Sequence, residues 1–204
     1  MTILVDMDEV MESLAKSWAA AVNAKYGYDV DPETIDEWDF AKFFPGLSRN
    51  QVYRIMDEDD FWQTVEPLPG AAETLQKLME DGHDVYVVTT THPRCLWNKV
   101  QYCLNVNFPF INLKHLIVTG NKQMIRGDVL IDDNPDNLTG GEYVQLLMTA
   151  PHNRSFDAEA HGMTRVNNWD EIYDMICFIE RNKCCGTGCI GVRTRENNRK
   201  KNSK

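Results

Sequence analysis

The stretch Ile3-Leu4-Val5-Asp6-Met7-Asp8-Glu9-Val10 decides the reading of this chain. Apolar β-formers deliver two carboxylates, one residue apart, to the end of what reads as a buried strand. Side chains on a strand alternate, so Asp6 and Asp8 share one face while Met7 points the other way. Two carboxylates so placed can hold a hard cation and divide two chemical jobs. An isolated Asp-x-Asp is more often a pair of solvated turn residues, and the rest of the sequence must decide.

Working outward, further apolar runs follow at Val85-Tyr86-Val87-Val88-Thr89, Leu116-Ile117-Val118, Val129-Leu130-Ile131 and Tyr143 to Met148. Helical spacing fills the gaps, from Met11 to Tyr26, Ala71 to Glu80, around Arg94 to Leu104 and Trp169 to Arg181. Strands alternating with helices predict an α/β fold, a doubly wound, Rossmann-like parallel sheet covered on both faces. Asp31-Pro32-Glu33 reads as a helix start with Pro in the first turn. The stretch to Trp62 then packs short helical pieces with Trp38, Phe40, Phe43, Phe44, Tyr53 and Phe61. Residues 12–66 therefore read as a small helical cap inserted after the first strand, with 1–11 and 67–182 as the catalytic core.

Size and charge narrow the function. The 204 residues, 43% hydrophobic and 25% charged, suit one core with a moderate insertion. No apolar run is long enough to span a membrane, and no basic segment followed by an apolar one opens the chain, so a cytoplasmic location is expected. The net charge of −10 argues against nucleic-acid binding, so an anionic substrate needs a local positive device. From Arg181 onward eight basic residues and one acid give +7, leaving −17 on the rest. Residues 183–204 read as a basic, disordered, solvating tail. Cys184, Cys185 and Cys189 near its start lack a histidine partner and make a poor zinc signal, and the six cysteines read as reduced thiols.

Three of these strands end in functional groups: Asp6/Asp8, Thr89/Thr90 and Asp132/Asp133. In an open parallel sheet the C-terminal strand ends line one edge, where ligands bind. Asp6 suits a nucleophile that takes phosphorus as an acyl phosphate, and Asp8 an acid that protonates the leaving alkoxide and later activates water. Asp133 completes an all-oxygen site for Mg²⁺, with Asp132 as a support or a further ligand. The Thr89 hydroxyl and the Thr90 N–H can donate to phosphoryl oxygens. Lys122, just before the fourth strand, can neutralise a phosphate oxygen and hold Asp6 ionised.

Asp6-Met7-Asp8-Glu9-Val10, Thr89-Thr90, Lys122 and Leu130-Ile131-Asp132-Asp133, in that order, resemble the four signature motifs of the haloacid dehalogenase superfamily of phosphohydrolases. Glu66-Pro67-Leu68-Pro69-Gly70-Ala71, Asp132-Asp133-Asn134-Pro135-Asp136 and Thr149-Ala150-Pro151-His152-Asn153-Arg154 followed by Trp169 are similar to the 5'(3')-deoxyribonucleotidase branch. The resemblance implies Asp6 as nucleophile, Asp8 as acid/base, and Mg²⁺ held by the Asp6 carboxylate, the Asp8 backbone carbonyl and Asp133. It also implies a nucleotide substrate whose nucleoside meets the cap; Leu14, Trp38, Phe40 and Met56 are the expected contacts. Glu9 stands where Gly is common in the superfamily, and Met56 falls where relatives carry a base-stacking aromatic. A homodimer is compatible with the branch.

Two rivals remain. A superfamily phosphatase acting on a sugar phosphate or phosphoamino acid would share the motifs, though the aromatic cap favours a flat base. A phosphorylatable receiver module also joins strand-end carboxylates, Mg²⁺, Thr and Lys, but accepts phosphate on a later strand and lacks such an insertion.

Overall fold

The structure, a computed structural model, describes residues 1–184. Its strands are β1 (Thr2–Val5), β2 (Asp84–Thr89), β3 (Leu116–Val118), β4 (Val129–Asp132), β5 (Val144–Met148) and β6 (Thr164–Val166). They form one parallel sheet in the order β3-β2-β1-β4-β5-β6. The central β1 sets Ile3 beside Val85 and Val129, and Val5 beside Val87 and Ile131. Ile3 and Val5 enter the larger core on one face while Leu4 enters the smaller core on the other. Both faces are thus covered, which is why these strands read as unbroken apolar runs. Gly127 permits the close approach on the second face, because a Cβ there would lie 2.7 Å from Leu4 Cγ.

The chain builds outward from β1 to β3, then crosses back to add β4, β5 and β6 on the other side. That reversal beside β1 opens a crevice at the C-terminal ends of β1 and β4. Covering helices are α1 (Leu14–Tyr26), α2 (Arg49–Tyr53), α3 (Ala71–Glu80), α4 (Pro93–Asn98), α5 (Asn105–Asn107), α6 (Pro135–Leu138) and α7 (Trp169–Cys184). Trp169, at the start of α7, is buried and donates its indole N–H to the Val10 carbonyl at 2.9 Å, tying the last helix to the loop after β1.

Between β1 and α3 the chain leaves the sheet for α1, α2 and 3₁₀ turns at Pro32–Thr34, Phe40–Phe43, Arg54–Asp57 and Phe61–Thr64. Asp31 caps the first of these turns by accepting from the Glu33 N–H, as the Asp-Pro-Glu signal predicts. Buried Phe44, Phe61, Trp62 and a parallel stack of Trp18 on Phe40, centroids 4.2 Å apart, hold the insertion together.

Several boundaries differ from expectation. The first helix begins at Leu14 rather than Met11, because the preceding residues turn back on themselves: the Met11 and Glu12 N–H groups both donate to the Met7 carbonyl. Glu9 sits in that turn at φ +54°, the left-handed conformation that explains why Gly is common at this position. A non-glycine residue pays about 1–2 kcal/mol for it. The helix expected at Arg94 to Leu104 is α4 continued as a π-turn over Lys99–Leu104. α7 runs past the expected end at Arg181 to Cys184. β6 has no counterpart in the sequence reading, since its three residues include one that is fully buried, Val166. Lys183 and Cys184, expected in the disordered tail, instead extend α7, while the rest of that tail, with Cys185 and Cys189, lies from residue 185 on outside the described residues.

Candidate active site

Asp6 follows β1 directly, and its N–H donates to the Ile131 carbonyl at 2.9 Å, which fixes it in the crevice between β1 and β4. Lys122, from a short turn before β4, is fully buried and donates to Asp6 Oδ1 at 2.5 Å and Asp132 Oδ2 at 2.6 Å. Asp132 is spent on holding: its Oδ1 accepts from the Asn134 N–H and, with Oδ2, from the Asn137 amide. Asp133 turns its buried carboxylate toward Asp6, and oxygens of Asp6, Asp132 and Asp133 all lie within 4.8 Å of one another.

Such crowding is electrostatically costly. Burial pushes the Asp6 carboxyl well above the carboxylate range; Lys122 pulls it back, and Asp132, Asp8 and Asp133 push it further up. Asp133 is raised likewise, by burial first and then by Asp132 and Glu9. Burial lifts Glu9 to about 7, although its carboxylate accepts from the Ala15 N–H. These buried, like-charged oxygens fit an oxygen-preferring divalent cation, which would relieve the strain that raises both pKa values.

Asp8 has a different partner. Lys99, fully buried on the π-turn, donates to Asp8 Oδ1 at 2.7 Å and to Thr89 Oγ1 at 3.0 Å. Beneath this pair lies Glu12, wholly buried, with no hydrogen-bond partner for either carboxylate oxygen among the described residues. Burial lifts it to about 8, against the pull of Lys99.

Asp6, Asp8, Thr90, Lys122 and Asp133 line one side of a 320 Å³ cavity, and Leu14, Trp38 and Phe40 line the insertion side together with Trp18, Ile35 and Pro32. Thr89, Met56 and Asp132 are not part of its lining. Thr89 still belongs to β2, so its side chain points into packed interior, 1% exposed, where it accepts from Lys99; Thr90, just past the strand, reaches the cavity. Met56 serves through its backbone, whose carbonyl accepts from the Trp62 indole at 2.8 Å.

Sequence reasoning missed Lys99, Glu12, His152 and Asn137. Lys99 carried a signal, since Cys95, Lys99 and Cys103 share one helical face and a lysine on a buried stripe needs a partner. His152, in the turn after β5, brings Nε2 to 2.9 Å from Asp133 Oδ2, although the two are not aligned as a hydrogen bond. Burial lowers its pKa, against the pull of Glu9 and of a hydrogen bond at the Asp133 backbone.

A parallel sheet with this strand order, carboxylates at the ends of its first and fourth strands and an insertion after the first defines a hydrolase fold of the haloacid dehalogenase type. Solved structures bear out the fold. A haloacid dehalogenase family hydrolase from Deinococcus radiodurans, with bound phosphate and sodium, superposes at TM-score 0.59 and 19% identity, covering 88% of this chain and 96% of that one. A putative phosphoglycolate phosphatase from Lactobacillus delbrueckii gives TM-score 0.59 at 14% identity, covering 86% and 97%.

The chain belongs to the family described as 5' nucleotidase, deoxy (pyrimidine), cytosolic type C, whose pattern it matches over residues 1–183. Among curated relatives, a 5'(3')-deoxyribonucleotidase of Bacillus subtilis is 36% identical over 172 residues, 83% of this chain and 95% of that protein. One from Clostridium acetobutylicum is 28% identical over 170 residues, 83% and 91%. Among the described residues no helix is long and apolar enough to cross a membrane.

Proposed function

We propose that this chain is a cytoplasmic, Mg²⁺-dependent 5'(3')-deoxyribonucleotidase that removes phosphate from deoxyribonucleoside monophosphates through an aspartyl phosphate on Asp6. The observation that carries the proposal is one cavity with two walls: Asp6, Asp8 and Asp133 on the sheet side, and Leu14, Trp18, Trp38 and Phe40 on the insertion side. Phosphate chemistry suits the first wall and a flat base the second. In this reading residues 1–11 and 67–182 are the catalytic core and 12–66 the cap.

Asp6 attacks phosphorus while Asp8, two residues on, gives its proton to the departing sugar oxygen. The nucleoside leaves as an alcohol, and Asp6 keeps the phosphoryl group. Asp8, now a carboxylate beside Lys99, takes a proton from water, whose oxygen attacks the same phosphorus and frees inorganic phosphate. Lys122 holds Asp6 in line through the first step, and Asp132 holds Lys122. Asp6, Asp133 and the Asp8 carbonyl would hold Mg²⁺, which screens the nucleophile from the anionic phosphate. Thr90 lines the cavity, and its backbone N–H, rather than the hydroxyl that donates to the Thr119 carbonyl, would donate to the phosphoryl oxygens.

Apolar atoms at the sugar would leave a ribose 2'-hydroxyl unpaired, at a cost of about 1–3 kcal/mol, or about tenfold to a hundredfold in preference. The test is a phosphate-release panel over matched deoxy- and ribonucleoside monophosphates and sugar phosphates, with Mg²⁺ and with excess EDTA. Turnover of deoxynucleotides that EDTA abolishes is expected. Turnover of sugar phosphates alone would replace the substrate assignment, and activity undiminished in EDTA would refute the cation.

A further inference from the structure

His152 stands between the two walls of the cavity without belonging to the chemistry just described. Its seat is rigid. The Asn153 amide donates to the Asp133 and Met148 carbonyls, both at 2.7 Å, while its Oδ1 accepts from the Ala150 N–H and from Arg165. The next residue, Arg154, reaches the insertion, where it pairs with the Glu33 carboxylate and donates to the Glu33 carbonyl. The turn at Pro151–Asn153 is therefore pinned to β4 and β5 on one side and held to the insertion on the other.

The imidazole is itself caught between the two. On the core side its buried Nε2 faces Asp133 Oδ2 at 2.9 Å, with no aligned partner elsewhere. On the insertion side Trp38 lies against the ring, centroids 3.9 Å apart and planes tilted by 49°. Trp38 is 52% exposed, so few other contacts hold it in place.

We propose that His152 is a positioning residue for Asp133 whose ring is held by Trp38, so that seating of the insertion over the cavity and binding of the cation are coupled. The inference rests on the reading of Asp133 as a cation ligand. A group that orients a ligating carboxylate sets how well that carboxylate meets the ion, and removing such a partner typically costs about 10–100-fold in metal affinity. Trp38 meets the ring that faces Asp133, so its effect on the cation is expected to pass through His152.

The experiment follows thermal unfolding of the full chain against Mg²⁺ concentration with no nucleotide present, which removes base stacking from the comparison. Parent, His152→Ala, Trp38→Ala, Trp38→Phe and the double alanine variant are compared by the Mg²⁺ concentration giving half-maximal stabilisation. His152→Ala should raise it about 10–100-fold, and Trp38→Ala about twofold to tenfold, the worth of one aromatic pair. Trp38→Phe should stay close to the parent, and the double variant should do no worse than His152→Ala alone. Should His152→Ala not fold, His152→Phe takes its place, keeping a ring against Trp38 but removing the nitrogen that faces Asp133, and it should raise the Mg²⁺ midpoint as His152→Ala does. An unchanged Mg²⁺ midpoint in the Trp38 and His152 variants, additive effects in the double variant, or a parent that Mg²⁺ does not stabilise would each overturn the proposal. Failure of the nucleotidase reading would appear instead in the phosphate-release panel, which leaves this readout untouched.

Discussion

Two fully buried lysines flank the Asp6-Met7-Asp8 turn, and they hold different halves of the chemistry. Lys122 bridges Asp6 and Asp132, on the side where the proposed nucleophile and cation ligands meet. Lys99 bridges Asp8 and Thr89, on the side of the proposed acid/base, with the unpartnered Glu12 behind it. Burial works against the charge on both, yet the surrounding carboxylates outweigh it and raise both pKa values above the usual lysine range. A buried ion pair contributes little net stability compared with an apolar substitute, but it fixes where charges sit. The comparison teaches that the two aspartates, although two residues apart, have separate electrostatic environments and need not be perturbed together.

Removing the carboxylates themselves should have the largest effect. Asp6→Asn leaves no nucleophile, and turnover should fall on the order of 10⁴-fold or more, the scale seen when a covalent nucleophile is deleted. Asp8→Asn keeps the nucleophile but not the proton donor, so phosphate transfer to Asp6 should remain detectable with a good leaving group such as p-nitrophenolate. Trapping the acid-labile phosphoenzyme separates the two; a trapped phosphoenzyme in Asp6→Asn would reverse the roles.

The lysines come next. Lys122→Met should weaken both formation of the phosphoenzyme and the apparent affinity for substrate, since it strips the lysine that lines the cavity beside Asp6. Lys99→Met should spare KM and lower kcat by about 10²-fold, the low end of what general acid–base catalysis contributes. Lys122→Met leaves the buried Asp6 and Asp132 without their partner, whereas Lys99→Met leaves a part-exposed Asp8, so the first should lose more thermal stability than the second. Steady-state kinetics on the folded fraction decides: equal KM changes in the two variants would break the separation.

The asymmetry between these lysines also marks how far the sequence could be read. Lys122 was visible because it precedes Leu130-Ile131-Asp132-Asp133, and the central strands were visible because burial on both faces makes apolar runs. Lys99 was marked only by its place on a helical face with Cys95 and Cys103, and nothing in the spacing announces the π-turn that aims it at Asp8. β6 was too short and too mixed to stand out. The aromatic insertion was legible as composition, but its short 3₁₀ turns have no sustained period, so Trp18 could not be placed on the cavity wall nor Met56 off it. Glu12 read as part of a helix beginning at Met11, because the turn that buries it depends on N–H groups folding back onto Met7.

The smallest effect, and the sharpest on the Lys99 side, belongs to Glu12. Its carboxyl is raised from 4.5 to about 8, chiefly by burial, with Lys99 pulling the other way. A group whose folded pKa lies above its unfolded one contributes stability that is fully present below the unfolded value and is lost as pH rises through the folded one. For Glu12 that window runs upward from 4.5 through about 8. Below it the protonated carboxyl is nearly an isostere of an amide, so Glu12→Gln should leave Tm almost unchanged at acid pH. Above it the parent must either carry a buried negative charge without a hydrogen bond or hold its proton at a free-energy cost, and the amide does neither. Glu12→Gln should therefore gain a few degrees in Tm at alkaline pH, with most of the gain appearing as pH passes through the window. A Tm difference that stays constant across that range would mean that Lys99 already compensates Glu12.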